Sequence, residues 1–151
     1  MTGFGPFLED FEPGDLVRHG RGKTLTQVET TTLTHLAMNT SDGHFDAHRY
    51  SQTAWGGTMV FGGITAAVVI GLSMQDTGAG AIRELGVGDV RLRAPVADGD
   101  TLYAYSEVVS IEPRDDRSGE VVFRHTGVNQ RDEIVFTCER RVLVRRRGAG
   151  E

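Results

Sequence analysis

The stretch "FGGITAAVVIGLSM", residues 61–74, decides how this chain folds. Its glycines, alanines and serine suit a helix packed closely against a sheet, although Val68, Val69 and Ile70 would also tolerate a strand. From Leu85 onward the signals are β. "GVGDVRLRAPV" (86–96) alternates, "TLYAYSEVVSIEP" (101–113) is a long alternating strand, and "EVVFRHTGVNQ" (120–130) and "IVFTCERRVLVRRR" (134–147) give two more. Turn residues separate them at "DGD" (98–100), "RDDRSG" (114–119) and "RDE" (131–133). The expected class is therefore α+β, with three or four antiparallel strands wrapped around one main helix.

Upstream, residues 1–18 read as an irregular lead-in punctuated by Pro6, Pro13 and glycines, and "RGKTLT" (21–26) as a short strand. "TQVE" (26–29) fits a capping box, with Thr26 as the cap and Glu29 three residues on. Val28, Leu33, Leu36 and Ala37 then recur at helical spacing, which predicts a helix over 27–38 despite four threonines. Between the two helices lies "MNTSDGHFDAHRY" (38–50), which crowds an amide, two carboxylates and two imidazoles into one loop. A turn needs only the Asn, Asp and Gly; the histidines ask for chemistry. "DAHRYSQT" (46–53) reads as one helical turn, with His48 on the surface.

The bulk composition narrows the classes. At 151 residues the chain reads as a single domain over 1–151, with a basic tail at 145–151. A net charge of −5 gives no global field for nucleic acid or anionic membrane. Five arginines at 140, 141, 145, 146 and 147 are a local exception, read as a solvated last strand or as an anchor for a phosphorylated ligand. Cys138 is alone, so no intrachain disulfide forms, which fits a reducing cytoplasm; in its alternating run it reads as a packed strand residue. No secretory signal opens the chain, and the apolar run from Met59 to Met74 is too short and glycine-interrupted for a membrane span. His44 and His48 show the spacing of a helical metal pair but lack the HExxH glutamate, so no metal is expected.

Three landmarks carry a family resemblance that spans roughly Phe11 to Val144. They are "FEPGDLV" (11–17), the loop "NTSDGHFDA" (39–47) followed by "GGTMVFGGITAA" (56–67), and "VRLRAPVADGDTLYA" (90–104). Together they resemble the MaoC-like branch of the hotdog-fold superfamily, the (R)-specific enoyl-CoA hydratases and 3-hydroxyacyl-CoA dehydratases. The loop resembles most the mesaconyl-CoA hydratase-like members. The common motif of the family sets a catalytic Asp five residues before a catalytic His. Anchored on His44, that Asp slot holds Asn39 and the usual Pro slot holds Asp42.

The resemblance implies a hydro-lyase acting on an acyl-CoA thioester, with a short, branched or dicarboxylic acyl group. No separate cofactor is needed, because CoA is part of the substrate. It also implies a homodimer or higher oligomer that joins two sheets. His44 would be the acid/base, Asn39 the holder of water, and the Gly62 N–H an oxyanion donor at the start of the central helix. Asp42 and Asp46 are alternative acids or supports of the loop. Gly63, Tyr50, Trp55, Val60 and Phe61 are candidates for the acyl pocket, and Arg91 and Arg93, with Lys23, for the CoA phosphates. Three alternatives stay open: a hotdog thioesterase, a non-catalytic acyl-CoA-binding subunit, and a lyase eliminating something other than water. The absence of Asp or Glu between Ala47 and Gln75 counts against the thioesterase.

Overall fold

The computed structural model describes residues 4–148; residues 1–3 of the lead-in and 149–151 of the basic tail lie outside the described residues. The predicted capping box forms: Thr26 Oγ1 accepts from the Glu29 N–H at 3.4 Å and Glu29 Oε2 from the Thr26 N–H at 3.1 Å. It opens helix α1 (Gln27–Leu36). The helix stops two residues before its expected end because the chain turns there. The Met38 N–H donates to His35 O and the Asn39 N–H to Thr34 O, with Met38 at φ +57°. This is a Schellman closure with methionine in the left-handed position usually held by glycine.

A 3-10 turn (Asp42–His44) and a short helix α2 (Ala47–Ser51) follow. Residues 62 to 77 settle the ambiguity of the opening stretch as helix α3 (Gly62–Thr77), about 24 Å long at 1.5 Å per residue. Thr65, Val69, Ser73 and Thr77, spaced four apart, are buried on one face. Two of the buried hydroxyls are satisfied within the helix, Ser73 donating to Ile70 O and Thr77 to Ser73 O.

Five antiparallel strands wrap this helix in the order β1-β3-β4-β5-β2: β1 (Leu16–Thr24), β2 (Ala81–Leu92), β3 (Thr101–Pro113), β4 (Ser118–Val128) and β5 (Ile134–Arg145). This is the hotdog arrangement. Two strand starts differ most from the sequence reading. β1 begins at Leu16, inside the expected lead-in, because pairing with Glu107 and Ser106 of β3 extends it. β2 begins at Ala81, four residues early, because β5 supplies partners up to Val144.

The concave face carries two apolar clusters with a polar belt between them. One cluster gathers Leu25, Ile64, Val69, Leu102, Ala104, Phe136 and Cys138. The other gathers Val108, Val121, Phe123, Val142 and Val144, closed from outside by Leu8 and Phe11 of the lead-in. Phe11 meets Phe123 edge-on at 5.4 Å. Between the clusters sit Ser106, His125 and Arg140; two residues away on their own strands, Ser106 is flanked by Ala104 and Val108, Arg140 by Cys138 and Val142, and His125 by Phe123 on one side.

Arg140 corrects the reading of the arginines as a solvated last strand. It is 1% exposed, its Nε donates to Glu84 Oε2 at 2.9 Å and its Nη1 to Thr77 Oγ1 at 2.8 Å. Arg141 pairs with Glu120, Arg146 with Glu9 and Arg147 with Asp10, while Arg145 closes β5. Cys138 is buried, as expected for a packed strand residue, and burial pushes its thiol up to about 11. Among the described residues no helix is long and apolar enough to cross a membrane.

Candidate active site

A cavity of about 560 Å³ opens at the N-terminal end of α3. It is bounded by the 38–50 loop, by residues 59–63 and by the segment after β2. His44, Asn39, Gly62, Gly63, Trp55, Val60, Phe61 and Arg93, all predicted from the sequence, line it together.

His44 ends the 3-10 turn and is half-buried. Its Nδ1 lies 2.7 Å from Met59 O. A carbonyl only accepts, so Nδ1 carries the hydrogen, and in the neutral ring Nε2 is left as the free base. The same two segments are tied a second time by the Met59 N–H donating to Gly43 O at 3.0 Å. The Val60 N–H then donates to Val96 O at 2.8 Å, anchoring the strip to the far wall. The ring packs 5.7 Å from Phe61. Tautomer and orientation are thus set by backbone, with no carboxylate partner among the described residues.

Asn39 follows the Schellman turn of α1. Its Oδ1 accepts from the Ser41 N–H at 3.0 Å, which leaves Nδ2 as a donor without a partner among the described residues. The family's carboxylate slot therefore holds a group that offers an N–H and cannot take a proton.

At the start of α3 the N–H groups of Ile64 and Thr65 both turn back to Phe61 O. Those of Gly62 and Gly63 are the open donors of the first turn, and no side chain among the described residues caps them. A Cβ on Gly62 would stand 2.4 Å from Leu92 Cδ1, so glycine lets the Leu92 side chain lie against the helix start.

The remaining predicted residues are placed elsewhere. Asp42 pairs with Arg49 Nη1 at 2.6 Å, both exposed. Asp46 caps α2, accepting from the Arg49 N–H at 2.9 Å. Tyr50 packs its ring over Gly43. The structure brings none of these three into the cavity; they shape the loop that carries His44. Leu92 lies opposite Phe136 and faces α3, so Arg91 and Arg93 alternate to the outer face. There Arg91 pairs with Asp89 at 2.6 Å, and Arg93, at the cavity rim, reaches Thr137 Oγ1 at 3.4 Å. Lys23 is engaged with Glu29 at 2.5 Å. Among the described residues no group of three or more side chains could hold a metal.

Sequence reasoning missed Met59, whose contribution is a carbonyl, and also Ser41, Thr65 and Leu92 of the lining. Nothing in the "GGTM" run (56–59) pointed to the Met59 carbonyl.

Comparison with known proteins places this geometry. The mesaconyl-CoA hydratase family model matches residues 9–146. The chain is 32% identical over 97% of its length to the β-methylmalyl-CoA dehydratase of Chloroflexus aurantiacus, covering 42% of that protein. It is 31% identical over 97% of its length to the mesaconyl-CoA hydratase of Cereibacter sphaeroides, covering 43% of it. It thus spans less than half the length of these curated relatives. A MaoC domain protein dehydratase from Chloroflexus aurantiacus superposes with a TM-score of 0.87 at 26% identity, over 94% of this chain and 45% of that one. The match runs from the lead-in to the end of β5, through the cavity loop and α3, and the chain belongs to the MaoC-like mesaconyl-CoA hydratase family.

Proposed function

We propose that the chain is a hydro-lyase that reversibly hydrates a 2-enoyl-CoA thioester, with a short, branched or dicarboxylic acyl group. The observation that carries this reading is the free Nε2 of His44 sharing one cavity with the open N–H groups of Gly62 and Gly63. Water held by Asn39 Nδ2 gives a proton to His44 Nε2 as its oxygen bonds to C3. The electron pair of the double bond moves onto the thioester oxygen, where the Gly62 N–H and the α3 dipole stabilise the enolate. The imidazolium then returns the proton to C2, and the thioester re-forms. The names of the relatives, mesaconyl and β-methylmalyl, support the branched dicarboxylic choice.

Thioester hydrolysis is disfavoured by the lining, which contains no Asp or Glu among the described residues. The carboxylates of Asp42 and Asp46, which kept it open, are spent on Arg49. The active form is a dimer in which two copies join along β2. That edge strand has β5 on one side only and exposes half or so of Ile82, Val87, Val90 and Leu92.

Mass spectrometry on crotonyl-, mesaconyl-, itaconyl- and longer enoyl-CoAs tests the reading. Gain of one water by wild type is expected, lost by roughly 100-fold or more in His44→Ala. Free CoA would mean a thioesterase. CoA binding without turnover of any ester would mean a binding subunit.

A further inference from the structure

The polar belt beneath the far end of α3 contains a hydrogen-bonded chain that the proposed reaction does not use. Asp76 Oδ2 is 2.6 Å from His19 Nδ1. His19 Nε2 is 2.7 Å from Ser106 Oγ, and Ser106 Oγ is 2.7 Å from His125 Nδ1. His19, Ser106 and His125 are at most 1% exposed; the Asp76 side chain, at 20%, is the one member open to water. The chain ends on His125 Nε2, a buried nitrogen without a hydrogen-bond partner among the described residues.

Asp76, His19 and Ser106 have the order of a catalytic triad, but the hydroxyl is fully buried and already bridges a second imidazole. Its constraint is different. A hydroxyl has one hydrogen. Held between two ring nitrogens, it can donate to only one of them, and accepting from both would leave its hydrogen without an acceptor among the described residues. Two arrangements satisfy both bonds and also place that hydrogen. In the first, Ser106 donates to a neutral His19 whose Nδ1–H points to Asp76, and His125 Nδ1–H donates to Ser106. In the second, His19 Nε2–H donates to Ser106, Ser106 donates to His125 Nδ1, and His125 carries its hydrogen on Nε2. The second holds one proton more than the first.

We infer that Asp76, His19, Ser106 and His125 form a one-proton switch, in which uptake of a proton reverses both Ser106 hydrogen bonds and moves His125 from the Nδ1–H to the Nε2–H tautomer. The added charge resides at the Asp76–His19 end, next to water and to a carboxylate. It does not reside on His125: burial, the Arg140 guanidinium and His19 push that imidazole down to about 3. The other groups facing the belt are fixed. Arg140 on β5 is paired with Glu84 of β2, and Cys138, opposite His125, is a neutral thiol. The switch joins α3 to β1, β3 and β4, so its protonation turns the contact anchoring the C-terminal end of α3 from a hydrogen bond between a neutral imidazole and a carboxylate into an ion pair.

The test is histidine-selective 15N NMR of the full chain across its folded pH range. Long-range couplings read the tautomer and charge of each ring. His125 should stay neutral and change tautomer with the same midpoint at which His19 gains its second proton. In Ser106→Ala the two should uncouple: His19 still titrates and His125 keeps one tautomer. In Asp76→Asn, should Ser106→Ala not fold, the midpoint should fall and His125 should hold the Nδ1–H form. Three results overturn the inference: a His125 that keeps one tautomer while His19 titrates, a His125 that itself becomes charged, or neither ring changing across the folded range.

Discussion

At the scale of single residues, His44 and Met38 show how local choices position the cavity. The Met59 carbonyl can only accept from His44, so in the neutral ring Nε2 is the nitrogen left without a hydrogen. Asn39 can only assist, and loss of its Nδ2 donor removes one hydrogen bond. Asn39→Ala should lower turnover by about tenfold, near 1.4 kcal/mol, with CoA binding by calorimetry unchanged. Met38 adopts a left-handed backbone although its side chain is 84% exposed and packs on little. Met38→Gly should therefore stabilise the protein by about 0.5–1 kcal/mol in urea unfolding. That Asn39 and His44 share one cavity could be expected from the sequence, because the loop resembles a known motif. The tautomer could not, because its determinant is a main-chain oxygen fifteen residues away.

At the scale of elements, α3 and the lead-in are placed by close approach. Gly80, just before β2, lies against Pro6: a Cβ there would stand 1.6 Å from the Pro6 carbonyl oxygen. That is backbone, which cannot swing aside. Gly80→Ala should displace the lead-in from the second apolar cluster and destabilise by about 1–3 kcal/mol, measured as a lower urea midpoint. The capping box of α1 was readable because both partners lie within four residues. The start of β1 was not, since Leu16 and Val17 become strand only through pairing with β3, some ninety residues on. The same holds for β2, whose first residues follow a glycine-rich turn and take their conformation from β5.

At the scale of the whole molecule, the polar belt makes stability depend on pH. Folding holds His125 down near 3 from an ordinary 6.5. Between those values the unfolded chain binds the proton that the folded chain refuses, so stability falls as pH drops below about 6.5. The His125 contribution is on the order of a few kcal/mol across that window. Urea unfolding of wild type against His125→Gln should show a shallower acid loss in the variant. The free side of β2 offers a second test: Val90→Lys should shift sedimentation toward monomer, because a charge on an edge strand opposes pairing.

The sequence by itself determined the class of the fold, the central helix, the capping box, the turns and the loop bearing Asn39 and His44. These rest on periodicity, on short-range capping or on motif, which are all local in the chain. Only the tertiary structure decided that Arg140 is buried, that Asp42, Asp46 and Tyr50 build the loop outside the cavity, and that Arg91 and Arg93 face outward from α3. Strand register places the three arginines, and register arises from contacts between residues distant in sequence; Asp42, Asp46 and Tyr50 are held by contacts within their own loop. The belt of His19, Ser106 and His125 is the clearest case. Its members sit on three strands, and antiparallel pairing alone brings them under the end of α3.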